Sequence, residues 1–341
     1  MKAWRWLPAA GMVAIAAAGA VAGPPGEVRS GEITPQLRVA VGRGLDFLAS
    51  RQQPGGALGP SGGHAGITAL AAMAFMSGGN LPGRGEYGAN VQRCLDYVLS
   101  QAGDDGLIAG DSSYGQMYGH AFATLFLAEV YGMSPDAAVK QRLARAVRVL
   151  LDAQSREGGW RYQAIPFDAD ISVTICCVMA LRAARDAGMK VPGEAIDNAV
   201  DYVRRCQNSD GGFGYMPSGS ESAFARSAAG VATLYYAGAY GGQDVQRGLR
   251  YLRACRGARD PEQAYFYYGH YYAAQAMLLA GGEHWAEYFP GIREQLLARQ
   301  DARSGGWNAD AGVDYGTAMA LIILQMPNRS LPILHGKGPG N

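Results

Sequence analysis

The chain has 341 residues, with 30 Lys and Arg against 29 Asp and Glu, a formal net charge of +1 and 48% hydrophobic residues. This length exceeds an ordinary single domain, which leaves either two domains or one array of repeats. No basic or acidic block is present. Nucleic acid is therefore not expected as a partner, and no electrostatic attraction to an anionic membrane is expected either.

The N-terminus has the organisation of a secretory signal peptide. A positively charged start leads into a small apolar run over 6–18, followed by small residues at 20–22 that form a cleavage pattern. The run is too short to cross a membrane as a helix. We therefore predict a signal peptide over 1–22, a Gly/Pro linker over 23–34 and an exported mature protein. A first helix retained as a membrane anchor is the alternative.

Five cysteines in an exported chain could pair, but their positions favour buried thiols. Cys176 and Cys177 are adjacent within an apolar segment, and the other three occupy further predicted helices. No CxxC pair or Cys/His spacing typical of zinc occurs. We predict no metal and no other cofactor.

The feature that organises the chain is a recurring corner motif that runs from glutamine to an aromatic residue. Its strongest copy is Gln154–Trp160 (QSREGGW), and further copies are Gln207–Phe213 and Gln300–Trp307. Degenerate copies begin at Gln52 and Gln101, which gives a period of about 50 residues. Glycine permits a sharp backbone turn, and the aromatic ring packs the loop against its neighbour. Each copy therefore predicts a corner between two helices.

An amphipathic helix precedes each corner, and an apolar helix follows it. The first amphipathic helix is predicted over 35–52, and the same register continues before Arg256, which replaces the glutamine. A helix without a polar face is buried on all sides, so the helices that follow the corners are predicted to be the inner ones. These apolar segments are 65–77, 121–131, 171–187, 225–237, 271–280 and 315–326.

Six such hairpins could stack as an open solenoid or close into a ring. The inner segments are too uniformly apolar to line an exposed concave surface. We therefore predict an all-α fold, an (α/α)6 toroid of six helical-hairpin repeats over 35–328, with a C-terminal tail over 329–341. The corners and the inner N-termini would lie at one end, around a central cavity. The tail would pack across the barrel or stay loose.

The Q-x-x-x-G-G-W corners in hairpins of about 50 residues resemble the repeats of squalene-hopene and other class II terpenoid cyclases and of protein prenyltransferase β-subunits. The resemblance covers 35–328. It implies the toroid fold, but it specifies activity much less because these families share the fold and differ in chemistry.

The resemblance implies a candidate acid. In class II cyclases, the middle aspartate of a D-x-D-D motif at the start of an inner helix donates a proton to an alkene. Here Asp168 and Asp170 match the first and middle positions, whereas Ile171 departs from the fourth. Asp170 is therefore the candidate acid, with its carboxyl group expected to face the central cavity and Asp168 beside it. The alternative is that Asp170 caps the helix that follows.

Other residues at the same end are candidates for ligand binding. Histidines and an aspartate stand at the starts of inner helices, where capping is the alternative role. Aromatic rings there could stabilise cations, stack on sugars or fill the barrel, and the run 265–272 is expected to be an irregular loop. The candidates are His64, His120, Tyr162, Phe167, Tyr268, His270, Tyr271, Asp314 and Tyr315. The resemblance to prenyltransferases matches His270 to their zinc-binding histidine, but their D-x-C ligand pair has no counterpart.

Three hypotheses for function follow from these observations. The first is an exported, terpenoid-cyclase-like protein that binds a small isoprenoid-like ligand in the central cavity, with acid chemistry at Asp170. The second is a non-catalytic binding or scaffold toroid. The third is a polysaccharide-degrading or polysaccharide-binding toroid with Ca²⁺ held by Asp168, Asp170, Asp310 or Asp314. The expected partner is a small apolar ligand or a glycan, and a membrane surface or a protein is a further candidate.

Overall fold

The computed structural model describes residues 31–108, 115–217, 220–255 and 265–336. The predicted signal peptide lies outside these ranges, as do most of the predicted linker, Arg256 and the end of the tail. Within the described ranges, no helix is both long and apolar enough to cross a membrane.

Twelve α-helices make up the described part of the chain, which contains no β-strand. The outer helices are α1 (Pro35–Arg51), α3 (Gly88–Ser100), α5 (Ala137–Asp152), α7 (Gly193–Arg205), α9 (Gln243–Ala254) and α11 (Gly282–Arg299). The inner helices are α2 (Ala65–Ser77), α4 (Gln116–Met133), α6 (Ile171–Asp186), α8 (Phe224–Tyr236), α10 (Phe266–Ala280) and α12 (Val313–Gln325).

The inner helices form a closed ring. In chain order each packs against the next, and α12 packs against α2 to complete the circle. The outer helices α1 and α11 also touch, next to the contact between α12 and α2. The predicted (α/α)6 toroid is therefore confirmed.

The outer helices are amphipathic, whereas the inner helices are apolar on all sides, as their different burial requires. Helix α5 buries one stripe, which includes Val139, Leu143 and Leu150, and its remaining surface carries charge. Every residue of α2 is buried, and its polar groups find backbone partners inside the barrel. The Thr68 hydroxyl donates to the Leu58 carbonyl, and the Ser77 hydroxyl donates to the Met73 carbonyl.

The corner glutamines link neighbouring repeats as well as ending helices. The side-chain amide of Gln154 donates to the Gly158 carbonyl at 2.7 Å and to the Ala195 carbonyl, in the next outer helix, at 2.8 Å. Gln52, Gln207 and Gln300 make the same pair of bonds in their own corners. A single side chain thus satisfies one carbonyl in the loop and another in the following repeat.

The corner aromatics are structural. Trp160 and Trp307 are fully buried, and each indole N–H donates at 2.7 Å to a carbonyl of the preceding outer helix. Gly158 has φ +101°, and a Cβ there would collide with the Asn198 carbonyl. Only glycine fits both the left-handed backbone and the close approach.

The tyrosine-rich run before the fifth inner helix is helical, so its interpretation as an irregular loop is wrong. Helix α10 already begins at Phe266, and Tyr267 and Tyr271 are buried at helical spacing. Aromatic residues all around a helix are compatible with burial between two neighbouring helices.

The tail packs across the end of the barrel that is opposite the corners. A 3₁₀ turn at Pro332–Leu334 contacts α4, α6 and α10. Leu331, Ile333 and Leu334 are buried there, and the Ile333 N–H donates to Glu129 Oε2 at 3.2 Å. For the described residues of the tail, packing across the barrel is thus the correct alternative.

Candidate functional site

Aromatic side chains fill part of the barrel axis. Phe122 on α4 and Tyr271 on α10 come from opposite sides of the six-helix ring, and their ring centroids lie 6.3 Å apart in an edge contact. The barrel is therefore filled at this level. The central cavity predicted from the sequence is thus not open at the level of this contact.

Two contacts tie α6 to α10 across the barrel. The Tyr268 hydroxyl donates to the Ser172 carbonyl at 3.0 Å, and one turn deeper the Tyr272 hydroxyl lies 3.0 Å from Cys176 Sγ. Both thiols of α6 are buried. Burial raises the pKa of Cys176 to about 12, so this group remains a thiol.

Asp170 combines a helix cap with a free carboxyl oxygen. Its Oδ1 accepts hydrogen bonds from the Ser172 and Val173 N–H groups at 2.8 and 3.0 Å, so the capping role is confirmed. Its side chain is 0% exposed, and within the described structure Oδ2 has no hydrogen-bond partner. The carboxyl group is thus not turned to bulk solvent, and one of its oxygens is left without a hydrogen bond.

Arg161 supplies the nearest positive charge. Its Nη1 pairs with Asp168, while its Nε lies 3.9 Å from Asp170 Oδ2, too far for a hydrogen bond. The guanidinium group stands 5.4 Å and 5.8 Å from the ring centroids of Tyr162 and Tyr215. Because Asp168 neutralises much of this charge, Arg161 stabilises an ionised Asp170 only in part.

The environment of Asp170 favours the protonated acid. Burial raises its pKa from 3.8 to about 6, against the opposing effects of the Val173 and Ser172 N–H groups, Tyr215 and Arg161. Desolvation of a carboxylate outweighs these partners because none of them donates a hydrogen bond of ordinary geometry to Oδ2.

Four tyrosines surround this carboxyl group, and we call them the mouth. The hydroxyl oxygens of Tyr162 and Tyr215 are 2.5 Å apart, and the Tyr118 ring centroid is 6.2 Å from that of Tyr162. Tyr268 completes the mouth through its bond to Ser172. Tyr118, Tyr215 and Tyr268 are half-buried, and Tyr162 is exposed. Tyr315, on α12, lies close to Tyr268. The mouth is therefore a partly accessible aromatic surface around one buried acid.

His120 belongs to the framework. Its Nδ1 accepts from the Ile108 N–H at 3.0 Å, and its Nε2 lies 3.0 Å from the Ala146 carbonyl. In other repeats the equivalent corner N–H donates to the hydroxyl group of Thr174 or Ser227. Burial lowers the pKa of His120 to about 4, so the ring is neutral. Neither nitrogen is available to a ligand.

His64 and His270 also lie outside the mouth. His64 caps α2, with Nδ1 accepting from the Gly66 and Ile67 N–H groups. The ring of His270 packs against Phe224 and Phe266, and its Nδ1 lies 2.7 Å from the Tyr288 hydroxyl of α11. Its pKa is lowered to about 3, first by burial and then by Arg299.

The remaining predicted residues are separate from Asp170. Asp314 pairs with Arg51 and accepts from the Gly59 N–H at 3.0 Å. Phe167 is 81% exposed on the corner loop. Of the predicted site residues, the structure therefore gathers Asp168, Asp170, Tyr162, Tyr268, Tyr271 and Tyr315 at the corner end and in the adjoining interior.

Sequence reasoning assigned no role to Arg161 and did not single out Tyr215. Tyr162 and Tyr215 each stand two positions after a corner aromatic, Trp160 and Phe213, so the repeat register pairs them. Arg161 directly follows Trp160, but a lone arginine in a loop carries no comparable signal.

No group of three or more His, Cys, Asp or Glu side chains in the described ranges could hold a metal ion. Arg161 and Arg51 neutralise two of the carboxylates on which the calcium hypothesis depends. A groove of about 880 Å³ lies on the outside of the ring, between α1 and α11, and it includes Val39 and Leu297. We place the candidate active site at the mouth rather than in this groove, because no residue that lines the groove has a buried titratable side chain.

Comparison with known proteins agrees with this architecture. The family described as prenyltransferase alpha-alpha toroid domain matches residues 86–259 of the 341. No curated protein sequence matches the chain.

Three solved structures show the same fold at low identity. Cellobiose 2-epimerase from Spirochaeta thermophila is 14% identical, with 87% of this chain and 98% of that chain covered and a TM-score of 0.64. A variant of the type II terpene cyclase MstE from Scytonema, in complex with its substrate geranylgeranyl dihydroxybenzoate, is 14% identical, with 87% and 98% covered and a TM-score of 0.57. An inactive variant of an α-1,6-mannanase from Salegentibacter, in complex with α-1,6-mannotriose, is 9% identical, with 86% and 99% covered and a TM-score of 0.63. Such identities establish the fold alone.

Proposed function

Because the chain belongs to the prenyltransferase alpha-alpha toroid domain family, we propose that it is an exported, terpenoid-cyclase-like protein. It binds a small apolar, isoprenoid-like ligand at the mouth and presents Asp170 to that ligand as an acid. Export rests on the N-terminal sequence.

The observation that supports this proposal is that the two oxygens of the Asp170 carboxyl group differ in their hydrogen bonds. Two backbone N–H groups fix Oδ1, whereas the fully buried Oδ2 makes no hydrogen bond. A carboxylic acid in such a site is oriented and able to keep its proton near neutral pH, as its raised pKa of about 6 indicates.

The mouth suits an apolar ligand that develops positive charge. The π faces of Tyr118, Tyr162 and Tyr215 can stabilise a cation, and their rings offer apolar surface. The contact between Phe122 and Tyr271 limits the depth of the site, which favours a short isoprenoid chain. A toroid of the same fold is known with a geranylgeranyl-containing substrate.

A glycan is the second candidate ligand. The polar and exposed groups at the edge of the mouth favour it. Tyr162 is 37% exposed and lies beside the ion pair between Arg161 and Asp168. An exposed ring next to polar groups can stack on a sugar while those groups bond its hydroxyls. The mannanase variant of the same fold is known with mannotriose.

Titrating the purified protein with geraniol, a short isoprenoid alcohol, and, separately, with α-1,6-mannotriose would decide between the two ligands. Tyr118→Ala should weaken binding of the correct ligand by about tenfold or more, as expected from the loss of a buried aromatic contact. Tyr131→Ala is the matched control, because Tyr131 is a half-buried tyrosine at the other end of the same helix. Binding of mannotriose alone would replace the isoprenoid assignment with the glycan one.

Catalysis is tested separately from binding. If Asp170 is an acid, Asp170→Asn should retain the helix cap and ligand binding but lose formation of cyclised or hydrated product, measured by mass spectrometry of the extracted ligand. A wild-type protein that binds the ligand and returns it unchanged would be a non-catalytic binding toroid.

A further inference from the structure

Exposed apolar side chains are concentrated at the corner end of the ring. Among the described residues, four of the five large hydrophobic side chains that are exposed lie at this end, namely Tyr162, Ile165, Phe167 and Tyr265. Val39 is the exception and lies in the first turns of α1, at the end remote from the corners. Single exposed hydrophobic residues need no explanation, but several at one place mark a contact with a protein or a membrane.

Three of these side chains belong to one loop between the corner and α6, residues 162–167, which we call the apolar loop. At its tip the Phe167 N–H donates to the Ile165 carbonyl at 2.9 Å, which closes a three-residue turn around Pro166. The proline ring fixes its own backbone angle, so the turn is rigid. Phe167 is 81% exposed and Ile165 is 56% exposed. The tip therefore holds two large apolar side chains in water instead of folding them onto the ring.

The base of the apolar loop is fixed on both sides. Arg161 and Asp168 flank the loop and form an ion pair with each other. The Met117 N–H, in the first turn of α4, donates to the Tyr162 carbonyl at 3.0 Å. The loop itself contains no charged residue, and the two charges at its base compensate each other. It is thus an anchored, uncharged projection.

Size and charge favour a lipid bilayer over a protein as the partner of this loop. For side-chain areas of about 150–250 Å², the exposed fractions of Tyr162, Ile165 and Phe167 amount to roughly 350 Å². A stable protein interface buries about 800 Å² on each partner. Apolar side chains that enter the headgroup region of a bilayer need no partner surface of matching shape, and aromatic rings are enriched there.

We propose that the apolar loop docks the corner end of the protein on a lipid bilayer of zwitterionic lipids such as phosphatidylcholine. Ile165 and Phe167 insert below the headgroups, and Tyr162 lies at headgroup level. The ion pair at the base stays in water, where both of its members are already partly exposed. This contact involves no step at Asp170 and goes beyond the proposed function, although a bilayer is also the place where an isoprenoid ligand dissolves.

A tryptophan in the loop reports on the contact locally, so the full chain can be used without any ligand. With phosphatidylcholine vesicles, the emission that Phe167→Trp adds to the wild-type spectrum should shift to shorter wavelength and be quenched by brominated acyl chains. The response should be equal at low and high salt, because no net charge takes part. Adding Ile165→Ser should raise the lipid concentration at half-maximal quenching by about fivefold, since one partly exposed aliphatic side chain no longer inserts.

Val39→Trp is the matched control, because Val39 is 64% exposed and lies at the opposite end of the ring. Its added emission should be neither shifted nor quenched. If vesicles leave the emission of Phe167→Trp unchanged, the membrane contact is excluded. An emission shift that follows protein concentration instead of lipid would assign the loop to a contact between two copies of the chain and would also overturn the proposal. Neither result bears on Asp170, so the proposed function is tested separately.

Discussion

The side-chain amide of Gln300 donates to the backbone carbonyl of Ala40 at 2.8 Å, which joins the last corner of the chain to its first outer helix. Gln154 makes the equivalent bond to Ala195 within the chain. The same interaction therefore links successive repeats and closes the ring. The seam, where the last repeat meets the first, uses the same hydrogen bond as the contacts between other repeats.

Replacing Gln300 with alanine should destabilise the protein. The change leaves the Ala40 and Gly305 carbonyls without their donor, at an expected cost of about 1–3 kcal/mol in the free energy of unfolding. Gln92→Ala is the control, because Gln92 makes one exposed bond to Asp96 and should change stability by less than about 0.5 kcal/mol. Urea denaturation measures both. Equal midpoints for the two variants would mean that the seam does not depend on this bond.

Gly158→Ala tests whether the corner requires glycine. The substitution places a Cβ against the Asn198 carbonyl in a backbone with φ +101°, so we expect a loss of about 2 kcal/mol or more in unfolding free energy. Gly42→Ala is the opposite case, since Gly42 lies within α1 with open space around its Cα. It should stabilise the protein by about 0.5–1 kcal/mol. A neutral Gly158→Ala variant would contradict this account of the corner.

The fold could be predicted because its rule is local and repeated. The corners after Gln154, Gln207 and Gln300 each combine a glutamine, a glycine with positive φ and a buried aromatic, and an apolar helix follows the corner in every repeat. The start of α10 was missed because the run from Tyr265 to Tyr272 has no polar break that would mark a boundary.

The site was less predictable because it depends on which groups, distant in sequence, form a hydrogen bond or an ion pair with each polar atom. His120 resembled a ligand residue in sequence, yet its two nitrogens bond to backbone groups of the second and third repeats, at Ile108 and Ala146. Asp314 was equally ambiguous in sequence, because only the fold brings Arg51 beside it. Asp170 was identified through its motif, but only the three-dimensional packing shows that its Oδ2 has no hydrogen-bond partner among the described residues.

The raised pKa of Asp170 predicts a dependence of stability on pH. The folded pKa of about 6 exceeds the ordinary 3.8, so the folded state binds the proton more tightly. Its contribution to stability is complete below 3.8 and is lost as the pH rises through about 6. Asp170→Asn keeps the cap but cannot ionise. Between pH 4 and pH 8 its stability should therefore improve relative to wild type by about 2 kcal/mol, measured by urea denaturation.

Asp136→Asn is the matched control for this measurement. Asp136 caps α5 with the same two backbone bonds, at 2.8 and 3.0 Å, but it is exposed to water. Its difference from wild type should change far less over the same pH range. A similar pH response in both variants would show that burial of Asp170 has little effect on its protonation.

Glu129 should make the docking of the tail sensitive to alkaline pH. Its buried carboxyl group accepts from the Ile333 N–H, and burial raises its pKa from 4.5 to about 8, with a smaller contribution in the same direction from Asp186. The protonated group supports the folded state fully below 4.5, and this support is lost as the pH rises through about 8. The Glu129 contribution to wild-type stability should therefore fall between pH 5 and pH 9, by at most about 5 kcal/mol.

Glu129→Gln keeps an acceptor for the Ile333 N–H and removes this ionisation, so it should lose less stability than the wild type over that range and keep only the smaller loss that Asp170 causes. Hydrogen exchange in residues 329–336, corrected for the intrinsic effect of pH, should accelerate above pH 8 in the wild type and not in this variant. Glu294→Gln, at an exposed glutamate paired with Arg293, is the control and should behave like the wild type. If Glu129→Gln loses stability with rising pH as the wild type does, Glu129 is not the group that responds, because the buried carboxyl is the only difference between them.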